Sequence, residues 1–194
     1  PYRWRPMTFK SEGREYFNER AIATQQTGFV LIAQLRSWLP DAVGGILWFG
    51  VDDANTAVLT PMYASITEIP ECYRRGNGSM SEFSWTSAFW IHNWVANMAY
   101  NRYEPMIRDI RPVQKELEDS YTELVKNTDA QALELLKSDP AKASAYLTGV
   151  CTKVANETTA RWKKLGEYLL VKYMDGNVKK EKDGKFEENG YGQI

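Results

Sequence analysis

The sequence predicts an α+β protein with antiparallel strands in its N-terminal third and a helical C-terminal region. Two patterns carry this reading. Residues 1–66 hold apolar runs of strand length separated by Gly-, Pro- and Asp-containing turns, whereas from residue 86 apolar residues recur at three- and four-residue steps. A third observation places a helix start inside the later region: Asp139 is a suitable N-cap and Pro140 a suitable first helical residue. The change of period divides the chain into strands over 1–66, a polar connection over 67–85, a helical region over 86–174 and a charged tail over 175–194.

The elements follow in order. "MTFK" and "REYF" flank "SEG", a hairpin in which Gly13 is free to take a positive φ. In "GFVLIAQLR", Phe29, Leu31, Ala33 and Leu35 point one way, and Val30, Ile32, Gln34 and Arg36 the other. Both faces are apolar until the far end, which predicts a strand covered on both sides. After the loop "SWLPDAVGG", the runs "ILWFGV" and "TAVLTPMY" repeat that character and are joined by "DDAN". Asp52 and Asp53 read there as turn chemistry, because neighbouring strand carboxylates would point to opposite faces and no His or further acid lies close by to complete a metal set.

Residues 67–85 are polar and contain Gly and Pro. In the next segment Ile91, Val95, Met98 and Arg102 fall on one helical line, with Trp90, Trp94, Asn97 and Asn101 beside it. Met106, Ile110, Val113, Leu117, Tyr121 and Leu124 continue a helical stripe, and Pro105 and Pro112 require starts or a kink. The helix after Pro140 runs to about Met174, with Leu147, Val150, Val154, Trp162, Leu165, Leu169 and Tyr173 on one stripe. The Gly-rich charged tail reads as an exposed hairpin or a loose end.

Composition narrows the function classes. A 43% hydrophobic and 13% aromatic chain of 194 residues is ordered and globular. A net charge of −1, with Lys and Arg spread among acids, gives no electrostatic reason to expect nucleic acid or an anionic membrane as partner. No apolar stretch reaches the roughly 20 residues a membrane span needs. The chain opens on Pro1 instead of Met, which reads as a cut or processed product, and it leaves the compartment open.

Candidate reactive groups are few. His92 is the only histidine, which excludes zinc sites built on two or three of them, and its setting on an aromatic helix reads as packed. Cys151 lies beside Val150 on an apolar stripe and reads as core. Cys72 is either a loop cysteine or a thiol made reactive by Arg74 and Arg75. "GNGS" at 76–79 lacks the spacing and the Lys of a phosphate loop. No cofactor and no metal are expected, and these residues alone assemble no active site.

A resemblance supplies more. "ERAIATQQTGFVLIAQLRSWLP", then "GGILWFG" and "TPMYASIT", resemble the C-terminal half of the bacterial cysteine dipeptidases related to penicillin V acylase and bile salt hydrolase, among the N-terminal nucleophile hydrolases. The matching residues are Arg20 with Ile22, Gln34 with Arg36 ending a strand, Gly45 with Trp48, and Pro61 with Tyr63; the late "ARWKKLGEYL" is similar as well. The resemblance implies an α-β-β-α sandwich of two stacked sheets flanked by helices, and a nucleophilic cysteine at the first residue of the mature chain whose own α-amino group serves as base. It implies a dipeptide or short peptide as substrate.

The chain departs from that pattern, since neither Cys72 nor Cys151 is terminal. On this reading the nucleophile lies in a missing N-terminal half, which is the chain's partner, and the chain alone is inactive; a homo-oligomer stays open. Substrate-binding candidates are Arg20, facing the site or a substrate carboxylate, with Gln34 and Arg36 lining the pocket. Hydrogen bonding inside the sandwich is the other reading of all three. A different class of function, a glycan-binding module, would use Trp85, Trp90, Asn93, Trp94, Asn97, Tyr100 and Asn101 as a stacking and hydrogen-bonding platform.

Overall fold

The structure, a computed structural model, describes residues 7–19 and 23–187. The first hairpin forms as the sequence predicts: β1 (Met7–Ser11) pairs antiparallel with β2 (Arg14–Glu19). The turn needs positive φ at Glu12 (50°) and Gly13 (75°), the geometry of a tight two-residue hairpin loop. Phe9 and Tyr16 face each other across it with stacked rings 5.2 Å apart.

β3 (Phe29–Leu35), β4 (Gly45–Val51) and β5 (Thr60–Tyr63) form a second antiparallel sheet in the order β3-β4-β5. The register sets Gln34 beside Ile46 and Ile46 beside Tyr63, so these three share a face. Between β3 and β4 the predicted loop contains one helical turn, α1 (Asp41–Gly44).

Two expectations are corrected here. Among the described residues the strand at 29–35 is not covered on both sides: Phe29, Leu31, Ile32 and Leu35 are 62%, 48%, 51% and 82% exposed, because β3 is the edge of the described sheet and the described helices pack against β4 and β5 instead. The run "TAVLTPMY" is strand only from Thr60. Upstream, Asp53 O accepts the N–H groups of Thr56 and Ala57, Ala57 O accepts from Gln114 Nε2 at 2.6 Å, and Leu59 N–H donates to Glu118 Oε1 at 3.0 Å. That backbone is satisfied by a turn and by a helix, which leaves nothing for a ladder.

The helical region contains α2 (Ala88–Asn101), α3 (Tyr103–Ser138) and α4 (Pro140–Tyr173). Asp139 caps α4 by accepting from the N–H groups of Ala141 and Lys142, with Pro140 at the first position. Pro105 sits in the first turn of α3, where its missing N–H costs nothing, whereas Pro112 lies within the helix and marks no boundary. The last three elements are an exposed 3-10 turn at 174–176 and the hairpin of β6 (Glu181–Lys182) with β7 (Lys185–Phe186).

α4 is the spine of the core. Leu147, Cys151 and Ala155 pack with Val43, Ile46 and Tyr63 of the sheet region, and Trp162, Leu165 and Leu169 pack with Ile91 and Val95 of α2 and Ile110 of α3. α4 also borders the outer edge of β5, where Tyr63 N–H donates to Cys151 Sγ at 3.4 Å. Where α2 crosses α4, Gly166 lets the Trp94 ring in so close that a Cβ there would lie 2.5 Å from it.

Candidate functional site

The end of β3 carries two of the residues the sequence singles out. Gln34 is exposed and its Oε1 accepts from Trp48 Nε1 at 2.9 Å across the sheet. Arg36 lies just beyond β3 and is 7% exposed. Its guanidinium donates to Val43 O, to Gly44 O and to both oxygens of Asp129 on α3. Tyr63 OH donates to the same carboxylate at 2.7 Å, and burial together with that charge pushes the phenol well above its ordinary range. The three residues tie the end of β3, strand β5 and helix α3 together. Both side chains are thus hydrogen-bonded within the fold, and Gln34 also keeps an exposed surface. Arg20 lies outside the described residues, as do Ala21 and Ile22.

Asp52 and Asp53 occupy the turn after β4 that the sequence predicts, but they are buried, at 2% and 0% exposure. Asp52 takes a φ of 67°, a left-handed conformation that Asp tolerates better than most residues. Its Oδ1 accepts from Asn93 Nδ2 at 2.9 Å, whereas Oδ2 is buried with no partner. Burial raises the Asp52 pKa from 3.8 to about 6, aided by the charge of Asp53 and opposed by the Asn93 bond. Asp53 accepts from Tyr100 OH at 2.7 Å and Thr56 Oγ1 at 3.0 Å. Asn93 and Tyr100 stand two helical turns apart on one face of α2, so the acidic turn is a dock for that helix. The sequence held this signal in the helical spacing of those two polar residues, but nothing in it linked them to residue 52.

The nucleophile candidates are quiet. Cys72 is buried in a 3-10 turn (Glu71–Tyr73), and burial raises its thiol pKa in spite of Arg74 and Arg75 nearby. Cys151, within α4, is pushed up to about 11 by burial. Both are free thiols, as expected of core cysteines. His92 is 2% exposed, stacks on Trp162 at 5.1 Å and keeps Nε2 without a partner; burial lowers its pKa to about 4, which leaves it neutral. Among the described residues no three His, Cys, Asp or Glu side chains are grouped as metal ligands, and no helix is long and apolar enough to cross a membrane.

The aromatic platform differs from its expectation. Tyr100 is 8% exposed and bonded to Asp53, Asn93 is engaged by Asp52, and Trp94 packs on Gly166 and against Trp85. Trp85 is 52% exposed beneath the Lys163 ammonium, with Phe83 edge-on to it. Asn93 and Tyr100 are thus engaged in holding α2 to the acidic turn, whereas Asn97 and Asn101 are exposed and donate along α2 to Asn93 O and Asn97 O.

A cavity of about 310 Å³ opens between the last residues of β4, the segment 72–80 and the start of α2. The sequence reading missed it. Its signal was present in "RRGNGS", where Gly76 and Gly78 take φ of 94° and 79° and fold the connection back on itself.

The described residues thus combine a sheet that carries its helices on β4 and β5, an apolar edge strand open to solvent, and thiols and an imidazole held in unreactive states. The chain belongs to peptidase family C69, whose family model matches residues 4–116. It is 28% identical over 143 residues to "Probable dipeptidase" of Latilactobacillus sakei, covering 72% of this chain and 28% of that protein. It is 23% identical over 148 residues to "Probable dipeptidase B" of Streptococcus pyogenes serotype M1, covering 76% of this chain and 29% of that protein. The chain spans under a third of the length of these curated relatives.

Proposed function

We propose that this chain is the sheet-and-helix frame of a dipeptidase whose attacking thiol lies upstream, and that it is inactive by itself. Family membership and the names of the two relatives support peptide hydrolysis. The observation that carries the finer reading is the pairing of an idle reactive inventory with an uncovered sheet. Cys72, Cys151 and His92 are buried, with thiol pKa values raised and the imidazole pKa lowered, so none forms a thiolate–imidazolium pair. At the same time β3 presents, among the described residues, an unpaired edge and apolar side chains to solvent, which is the surface a second sheet of an α-β-β-α sandwich would cover.

In the proposed reaction an N-terminal cysteine thiol attacks the peptide carbonyl while its own α-amino group takes the proton. That amine, with an ordinary pKa of about 7.7 to 8, then passes the proton to the departing amine. Water hydrolyses the resulting thioester. Arg20 contacts the substrate carboxylate or the nucleophile's surroundings, and Gln34 lines the wall of the site. Arg36, held by Asp129, fixes the end of the strand that carries that wall. Changing Arg20 to Ala in the full-length enzyme is expected to lower kcat/KM for dipeptides at least a hundredfold while the thermal melting midpoint stays within a few degrees. Unchanged turnover in a folded variant would remove Arg20 from the site.

A further inference from the structure

We propose that the cavity beside the start of α2 is a recognition site for an apolar amino-acid residue bearing a free carboxylate, such as the C-terminal residue of a short peptide. This rests on the dipeptidase reading for its biological ligand, but its evidence is local. α2 is 14 residues long, and the N–H groups of its first turn receive no side-chain cap from Ser87. Ser87 is only 6% exposed, its hydroxyl has no hydrogen-bond partner among the described residues, and it lines the cavity. The Ser87 hydroxyl is not sealed in the core but keeps access to the space of the cavity. It is a free donor beside an uncapped helix terminus, where the dipole favours an anion.

The charge around the opening agrees. Arg74 is paired with Glu71 at 3.0 Å, whereas its neighbour Arg75, also lining the cavity, has no carboxylate partner among the described residues. No Asp or Glu side chain among the described residues lines the space. The lining also includes the apolar side chains of Phe49, Val51 and Phe89. A volume of about 310 Å³ lies at the low end of the range of about 300–1,000 Å³ for small-molecule sites, which suits one amino-acid residue. An inorganic anion would use the donors and leave the apolar wall idle.

The rim is built before any ligand arrives. Asn77 Oδ1 accepts from Ser84 Oγ at 2.7 Å and Thr86 Oγ1 at 2.9 Å, and its Nδ2 donates to Glu71 O at 3.1 Å. Trp90 Nε1 donates to Ser79 O at 3.1 Å, which pins the loop to α2. Such preorganisation lowers the ordering cost of binding.

Calorimetric titration of the full-length protein with N-acetyl-L-phenylalanine, with its amide and with inorganic phosphate tests the proposal. Saturable binding of the acid is expected, at least tenfold weaker for the amide and for phosphate. In Arg75→Gln and Ser87→Ala, melting as the parent does, affinity for the acid should fall at least fivefold each. Equal binding of acid and amide, binding of phosphate alone, or full affinity in both folded variants would overturn the site. Dipeptide hydrolysis by the same preparation is scored separately. A hydrolysing protein that does not prefer the acid overturns this site alone, and an acid-binding protein without hydrolysis supports it while overturning the dipeptidase reading.

Discussion

Replacing Asp52 by asparagine and, separately, His92 by phenylalanine should uncover two pH dependences of opposite sign that offset one another in the parent protein. The Asp52 carboxyl rises from 3.8 to about 6 on folding because it is buried with one oxygen unpartnered. The folded protein therefore holds that proton more tightly, and the associated stability is present below about pH 4 and lost as pH rises through 6. His92 falls from 6.5 to about 4 for the same reason, burial. Its contribution is present above pH 6.5 and lost as pH falls towards 4. Each shift spans about two pKa units, or about 3 kcal/mol at about 1.4 kcal/mol per unit. Asparagine in place of Asp52 can keep the left-handed φ and still accept from Asn93, and phenylalanine in place of His92 can keep the stack on Trp162. Urea unfolding followed by Trp fluorescence at pH 4, 5, 6 and 7 reads the difference from the parent. Asp52→Asn should gain up to about 3 kcal/mol between pH 4 and 6, and His92→Phe should gain a similar amount as pH falls from 6.5 to 4. Differences from the parent that are flat across this range would refute the assignment of both buried groups.

Two further outcomes follow from packing. Asp129→Asn strands the buried Arg36 guanidinium and should destabilise the protein by about 3–5 kcal/mol in urea unfolding; a loss below about 1 kcal/mol would mean that Arg36 and Asp129 are not paired in solution. Gly166→Ala drives a methyl group into the Trp94 ring and should cost about 1–3 kcal/mol with a change in Trp emission, whereas a neutral effect would show that α2 can slide.

Local chemistry was legible in the sequence wherever neighbours in the chain determine structure. The Glu12–Gly13 turn and the Asp139–Pro140 helix start are chosen by backbone preference and capping, and both form where expected. The packed state of His92 and Cys151 followed from their place on apolar helical faces. Long-range partners were not legible: nothing near Arg36 indicates Asp129, ninety-three positions on, and nothing near Asp52 indicates Asn93. The two-sided apolar pattern of β3 predicts cover that the described residues do not provide, so strand type was readable from it and burial was not. In the Trp- and Asn-rich stretch the spacing that would build a platform also builds, through Asn93 and Tyr100, a dock for the acidic turn.

The account turns on where the attacking sulfur resides. Dipeptide hydrolysis should be measured side by side for residues 1–194 alone and for the protein carrying its native upstream sequence, with mass-spectrometric mapping of iodoacetamide labelling. The expected result is turnover in the longer protein only, abolished by alkylation of an N-terminal cysteine while Cys72 and Cys151 stay unlabelled. Full turnover by the 194-residue chain, or inactivation that maps to Cys72 or Cys151, would contradict it.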